Sequence, residues 1–220
     1  MSSTSTRART RKSPTQRSGE ILAAATELAR EQGLSALTLR AVAERAGVAS
    51  GLIAHYQPSM DDLIARVYSD LVAAEIRDVE QVMGTREGAA GRMAMLIETL
   101  LDGTREDLTV VWVEAWALGR RNAALAEAVR AQMDAWHRMV AAVIDGGLTT
   151  GAFTTPSSSD AAWQLLGMID GLNAQSLARG IEGEGYIPKM ARAAEILLGA
   201  PEGSIEASGS PLRAAQRVSE

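Results

Sequence analysis

The chain has 220 residues, 46% of them apolar and 22% charged, with a net charge of -5 and no cysteine. This is ordinary for a globular protein with a buried core. It excludes disulfides and thiolate metal sites, and no apolar run approaches the roughly 20 residues needed to span a bilayer.

The N-terminus is polar and basic with no apolar stretch behind it, so it does not read as a secretory signal, and a cytoplasmic protein is expected. Residues 1–13 are rich in Ser, Thr and Arg, and are expected to form a disordered basic arm. From Pro14 onward Ile21, Leu22, Ala25, Leu28 and Ala29 recur at helical spacing until Gln32-Gly33 ends the pattern. Thr38 suits the N-cap of a second helix, with Leu39, Val42, Ala43 and Ala46 on its buried stripe. Gly47 supplies a turn. A short third helix is expected at about 49–56, with Val48 and Ile53 facing inward and Pro58 stopping it. Ser59, Asp61 and Asp62 open a fourth, longer helix that runs to about Val82, the acids sitting at its positive end.

Beyond Gly84 every strong pattern is helical. Helices are expected near 87–101, 105–118, 122–145, 158–180 and 188–199, separated by Gly103, by 119–122, by a loop over 146–159 and by 180–188. Residues 200–220, with Pro, Gly and Ser, read as a mobile tail. The fold class is all-α. Residues 14–58 form an expected helix-turn-helix DNA-binding domain, and 59–199 a larger helical domain for ligand binding and dimerisation.

The charge is unevenly spread. Residues 1–56 hold eight Lys/Arg (Arg7, Arg9, Arg11, Lys12, Arg17, Arg30, Arg40, Arg45) against four acids (Glu20, Glu27, Glu31, Glu44), so the head is basic and the remainder strongly acidic. A basic head on an acidic body suits a phosphate-binding end attached to something that need not touch DNA.

Residues 37–48, Leu-Thr-Leu-Arg-Ala-Val-Ala-Glu-Arg-Ala-Gly-Val, followed by Gly51, His55-Tyr56 and Leu63, closely resemble the DNA-binding head of the TetR family of transcriptional repressors. The resemblance covers 21–63. More loosely, Gly147, Gly151 and Phe153 ahead of a helix containing Asp170-Gly171-Leu172 are similar to the family's seventh and eighth helices. Residues 51–56, with Trp112 and Trp116, are similar to the choline-responsive regulators of the BetI type. The resemblance implies a repressor that binds a palindromic operator as a homodimer and is released by a small-molecule inducer, with His55 and Tyr56 on the DNA backbone. The chain departs from the family pattern at Ala49 (usually a capping Ser), Gln57 (usually Phe) and Met60 (usually Lys).

The residue chemistry is consistent with this. Thr38, at a helix N-terminus, can hold a phosphate with its hydroxyl and nearby amides. Ser50, Gly51, Leu52 and Ala54 lie on or beside the face expected to meet the groove floor; Gly51 permits close approach and Leu52 offers an apolar contact to a thymine methyl. Arg40 could reach a base or a phosphate, or be a solvated helix residue. The arm could follow the minor groove or only add solubility. A two-fold dimer places two recognition helices roughly 34–36 Å apart on one side of a duplex. The candidate dimer helices are 158–180 and 188–199, with Trp163, Leu166, Gly167, Gly171 and Ala174 at the interface; the first is apolar on more than one side.

The body reads as a sensor. Trp112 and Trp116 share a helix face, and Met133, Trp136 and His137 lie on the next helix. With an acid such as Asp170, or Glu98, Asp102, Glu114 or Asp134, this aromatic wall could hold an organic cation, or it could be core filling. Helix 4 is expected to set the spacing of the two heads. No catalytic motif is visible: there are two histidines, no H-E-x-x-H and no Gly-x-Ser-x-Gly. Gly183-Glu184-Gly185 follows no strand. No enzyme activity, metal or cofactor is expected. The competing reading is a helical adaptor that binds protein rather than DNA.

Overall fold

The computed structural model describes residues 13–180 and 183–206, and these contain nine α-helices and no strand. The head is α1 (Pro14–Gln32), α2 (Leu39–Arg45) and α3 (Ser50–Tyr56). Ser13 and Gln16 close a reciprocal capping box at the start of α1. Thr38 caps α2, its hydroxyl accepting from the Ala41 amide at 3.2 Å; such a cap stabilises by about 1 kcal/mol. Helix α3 starts at Ala49 without a side-chain cap. Its position is instead set by Ile53, fully buried with Ile21, Ala25, Leu28, Val42 and Ala43. A 3-10 turn, Leu34–Ala36, joins α1 to α2; it is too short for periodicity to reveal.

Helix α4 (Met60–Met83) leaves the head and continues into the body. Ser59 caps it through the Asp62 amide at 3.1 Å. Leu63 and Val67 are buried at its first turns and Leu71, Val72, Ile76 and Val79 further along. It packs along α7 (Ala123–Thr150), which packs in turn on α8 (Ser158–Arg179); α5 (Gly88–Leu101), α6 (Glu106–Leu118) and α9 (Ile187–Leu198) complete the body. Helix α6 also touches α1 and the 3-10 turn.

Two expectations need correction. The loop expected from residue 146 begins at Gly151, because α7 continues through Gly146 and Gly147 to Thr150. The glycine at 147 is there for close packing: a Cβ would stand 2.0 Å from the Phe153 ring. Residues 200–206, expected to be tail, form a hook. The Glu195 carboxylate accepts from the Ile205 amide at 3.1 Å, and Ile205 is buried. The rest of that expected tail, 207–220, and the arm 1–12 with Arg7, Arg9, Arg11 and Lys12, lie outside the described residues.

Candidate functional site

On the head, Gly51, Ala54 and His55 occupy the exposed side of α3, with Ser50, Leu52 and Tyr56 half-buried at its margins. Nothing lies within 4 Å of where a Cβ on Gly51 would stand, so the helix backbone is open to approach. The His55 and Tyr56 rings meet edge to face at 5.0 Å. Thr38 and Arg40 are exposed on α2, and Arg40 has no ion pair among the described residues. Arg45 is engaged inside the head, bonded to Glu31 and close to Glu27 on α1; its hydrogen bond holds the Glu31 carboxyl below the usual range.

The body encloses a cavity with about 680 Å³ of empty space, counting the part that opens to solvent. All four tryptophans of the chain line it: Trp112 and Trp116 from α6, Trp136 from α7 and Trp163 from α8. Trp112 meets Tyr68 edge to face at 5.5 Å and Trp116 at 6.3 Å. Two carboxylates face the same space. Glu75 on α4 is 5% exposed and accepts from Trp112 Nε1 at 3.2 Å. Burial pushes its pKa up to about 7, with the Trp112 bond and the Arg105 charge pulling the other way. Asp170 on α8 is raised to about 6 by burial, and has no hydrogen bond or ion pair among the described residues. Tyr68 is also raised, by burial and by the charges of Glu75 and Asp170. A cation against these aromatic faces would relieve the cost of burying two charged carboxylates.

Of the residues expected at a ligand site, Trp112, Trp116, Met133, Trp136 and Asp170 line the cavity. His137 does not: it stacks on Trp163 at 4.6 Å, 19° from parallel, with Nε2 3.0 Å from the Ser159 carbonyl. Trp163 and Leu166, expected at a dimer interface, also line the cavity, and Trp163 is 41% exposed. One flank of α8 therefore lines the cavity. Gly167 and Gly171 do lie on the open side of α8, with nothing within 4 Å of a built Cβ, and Ala174 is half-buried. The two glycines border a shallow groove shared by Met168, Gln175 and, from α9, Lys189 and Met190. Met168 and Ile196 are exposed, Ile196 to 70%.

Sequence reasoning missed Glu75, Arg105 and Asn173. The signal for Glu75 was an acid inside the buried stripe Leu71, Val72, Ile76, Val79. Among the other candidate acids, Glu98 is buried near Arg86 at 4.0 Å, Asp102 accepts from Thr104, and Asp134 is exposed.

Glu114 has a different place. Its carboxylate accepts from the Ser35 amide at 2.9 Å and the Ser35 hydroxyl at 2.6 Å, joining α6 to the head. The approach requires glycine at 33, where φ is +82° and a Cβ would stand 2.4 Å from that carboxylate. Arg30 of α1 adds a pair to Asp107 of α6 at 2.7 Å. Helix α6 thus carries the Trp112–Trp116 wall on one side and the head contacts on another.

Among the described residues no helix is long and apolar enough to cross a membrane, and no group of three or more His, Cys, Asp or Glu could hold a metal ion.

Comparison with known proteins adds independent findings. Residues 21–67 match the family profile described as bacterial regulatory proteins of the tetR family, and residues 88–195 match that of the BetI-type transcriptional repressor C-terminal domain. A search of the curated proteins finds no match. Among solved structures, a TetR-family transcriptional regulator from Rhodococcus sp. has a TM-score of 0.70 at 19% identity, over 84% of this chain and 99% of that one. A transcriptional regulator from Saccharomonospora viridis, solved in complex with choline, has a TM-score of 0.70 at 22% identity, over 84% and 96%. A further regulator from Rhodococcus sp. Rha1 has a TM-score of 0.62 at 25% identity, over 86% and 95%.

Proposed function

The chain belongs to the TetR family of transcriptional regulators, and from this premise we propose that it is a dimeric repressor of a palindromic operator, released by a small organic cation. The protein works in the cytoplasm, without enzymatic activity. Two copies pair through the open sides of α8 and α9, around Gly167, Gly171 and Ala174. Each places α3 in a major groove of one duplex. Thr38, His55 and Tyr56 hold the DNA backbone. Ser50, Gly51, Leu52 and Ala54 meet base edges, and Arg40 adds charge at the rim.

The observation that carries this reading is the double duty of α6. The helix that supplies Trp112 and Trp116 to the cavity also holds the head through Glu114 and Asp107. A cation drawn to Glu75 and Asp170 repacks the tryptophans, and any shift of α6 is felt at Ser35 and Arg30. Ligand acts only by preferring one head spacing over the other, and a near-complete switch needs about a 10⁴-fold difference in affinity between them. The Saccharomonospora viridis neighbour, crystallised with choline, makes choline the natural first probe.

The test is a gel shift on DNA from upstream of the protein's own gene, across salt concentrations, with and without choline. Retardation that weakens as salt rises, and is reversed by choline, supports the proposal. Retardation at no salt concentration would leave the adaptor reading.

A further inference from the structure

Two residues of the cavity wall each carry a buried N–H group without an acceptor among the described residues. Trp136 Nε1 on α7 and Arg105 Nε, just before α6, are both shielded from solvent and have no partner among the described residues. Trp136 is 5% exposed as a whole, and both residues line the cavity. Buried N–H groups are almost always satisfied, so two orphans around one space point to an occupant that accepts hydrogen bonds. The third indole N–H nearby, that of Trp112, is already donated to Glu75. Arg105 is anchored from behind, its terminal nitrogen bonded to Asp78, so its guanidinium is held in place.

The wall therefore makes two opposite demands. Glu75 and Asp170, when charged, favour a positive partner. Trp136 and Arg105 require an acceptor, and the guanidinium favours a negative one. A plain cation satisfies the first pair and leaves the donors orphaned; a neutral acceptor leaves the carboxylates uncompensated. A dipolar molecule answers both.

Resting on the cation reading above, we infer that the ligand is an organic cation carrying a strong hydrogen-bond acceptor, a carboxylate above all, which Trp136 Nε1 and Arg105 Nε receive. The ammonium lies against the tryptophan faces and the two acids. The acceptor end sits at the mouth of α6, beside the residues that lead to Asp107 and the head.

The experiment is calorimetry on the full chain with a series that shares one trimethylammonium group. The series comprises carboxylates with one to three intervening carbons, choline, and propyltrimethylammonium as the isostere without an acceptor. The best carboxylate is expected to bind at least tenfold tighter than the propyl compound, with choline between them. Trp136→Phe keeps a ring and deletes the donor. It is expected to weaken the carboxylate about tenfold and leave the propyl compound within about twofold. If the variant does not fold, the wild-type series decides alone. Equal affinities across that series overturn the acceptor claim and leave the cation reading standing. Failure of every member to bind overturns both.

Discussion

Replacing Asp170 by Asn separates what this residue costs the fold from what it does for the ligand. Burial raises its pKa from the ordinary 3.8 to about 6. A raised carboxylate pKa means that the folded chain holds the proton more tightly than the unfolded chain. The destabilisation is therefore fully present above pH 6 and is lost as pH falls through 3.8. Two pH units correspond to about 3 kcal/mol at most, at about 1.4 kcal/mol per unit. The amide retains part of the cost of burial, so roughly 2 kcal/mol of gain is expected at pH 8, a rise in Tm of about 4–8 °C for a chain of this size. The gain should fade below pH 4. Thermal melts at pH 8 and pH 4, with cation binding followed by tryptophan fluorescence at pH 8, check both halves. A more stable protein that has lost at least tenfold in cation affinity is expected. A variant that gains no stability at pH 8 and still binds the cation would refute the reasoning.

The same acids make binding pH-dependent. Glu75, raised to about 7, and Asp170, raised to about 6, are largely neutral at pH 5.5 and charged at pH 8, so cation affinity should rise by roughly tenfold or more over that range. Calorimetry at both pH values is the check, and a flat profile contradicts it. Gly51→Ala adds a Cβ into open space and removes a helical glycine, so stability should hold or rise by up to about 1 kcal/mol while operator affinity falls severalfold in a gel shift. Glu114→Ala removes both bonds to Ser35; cation affinity should stay within about twofold while the cation's effect on DNA affinity shrinks at least threefold, since the coupling and not the cavity is cut. Ile53→Ala should destabilise by about 2–5 kcal/mol, and chemical denaturation should show it.

The head was readable because its signals are local. A cap at Thr38, a turn at Gly47 and one buried residue on a seven-residue helix all act within a few positions of themselves. The cavity was half readable: Trp112 and Trp116 share a face by spacing alone, but Trp163 joins them only through the packing of α6, α7 and α8. Glu75 was hidden because helical periodicity assigns an acid to the solvated side, and only a cavity explains one inside the buried stripe. Gly146-Gly147 was misread as a break because the partner of Gly147 is a ring that folds back from Phe153. Glu114 could not be found at all by local reasoning, since Ser35 lies 79 residues away.

The claim at the centre is that the tryptophan cavity and the DNA head form one coupled system. It is tested most directly by titrating the tightest-binding trimethylammonium compound into the protein bound to fluorescent DNA from its own upstream region, reading DNA anisotropy and tryptophan emission in one sample. The two signals are expected to change together, with a single midpoint. Tryptophan emission that saturates while the DNA remains fully bound would contradict the account.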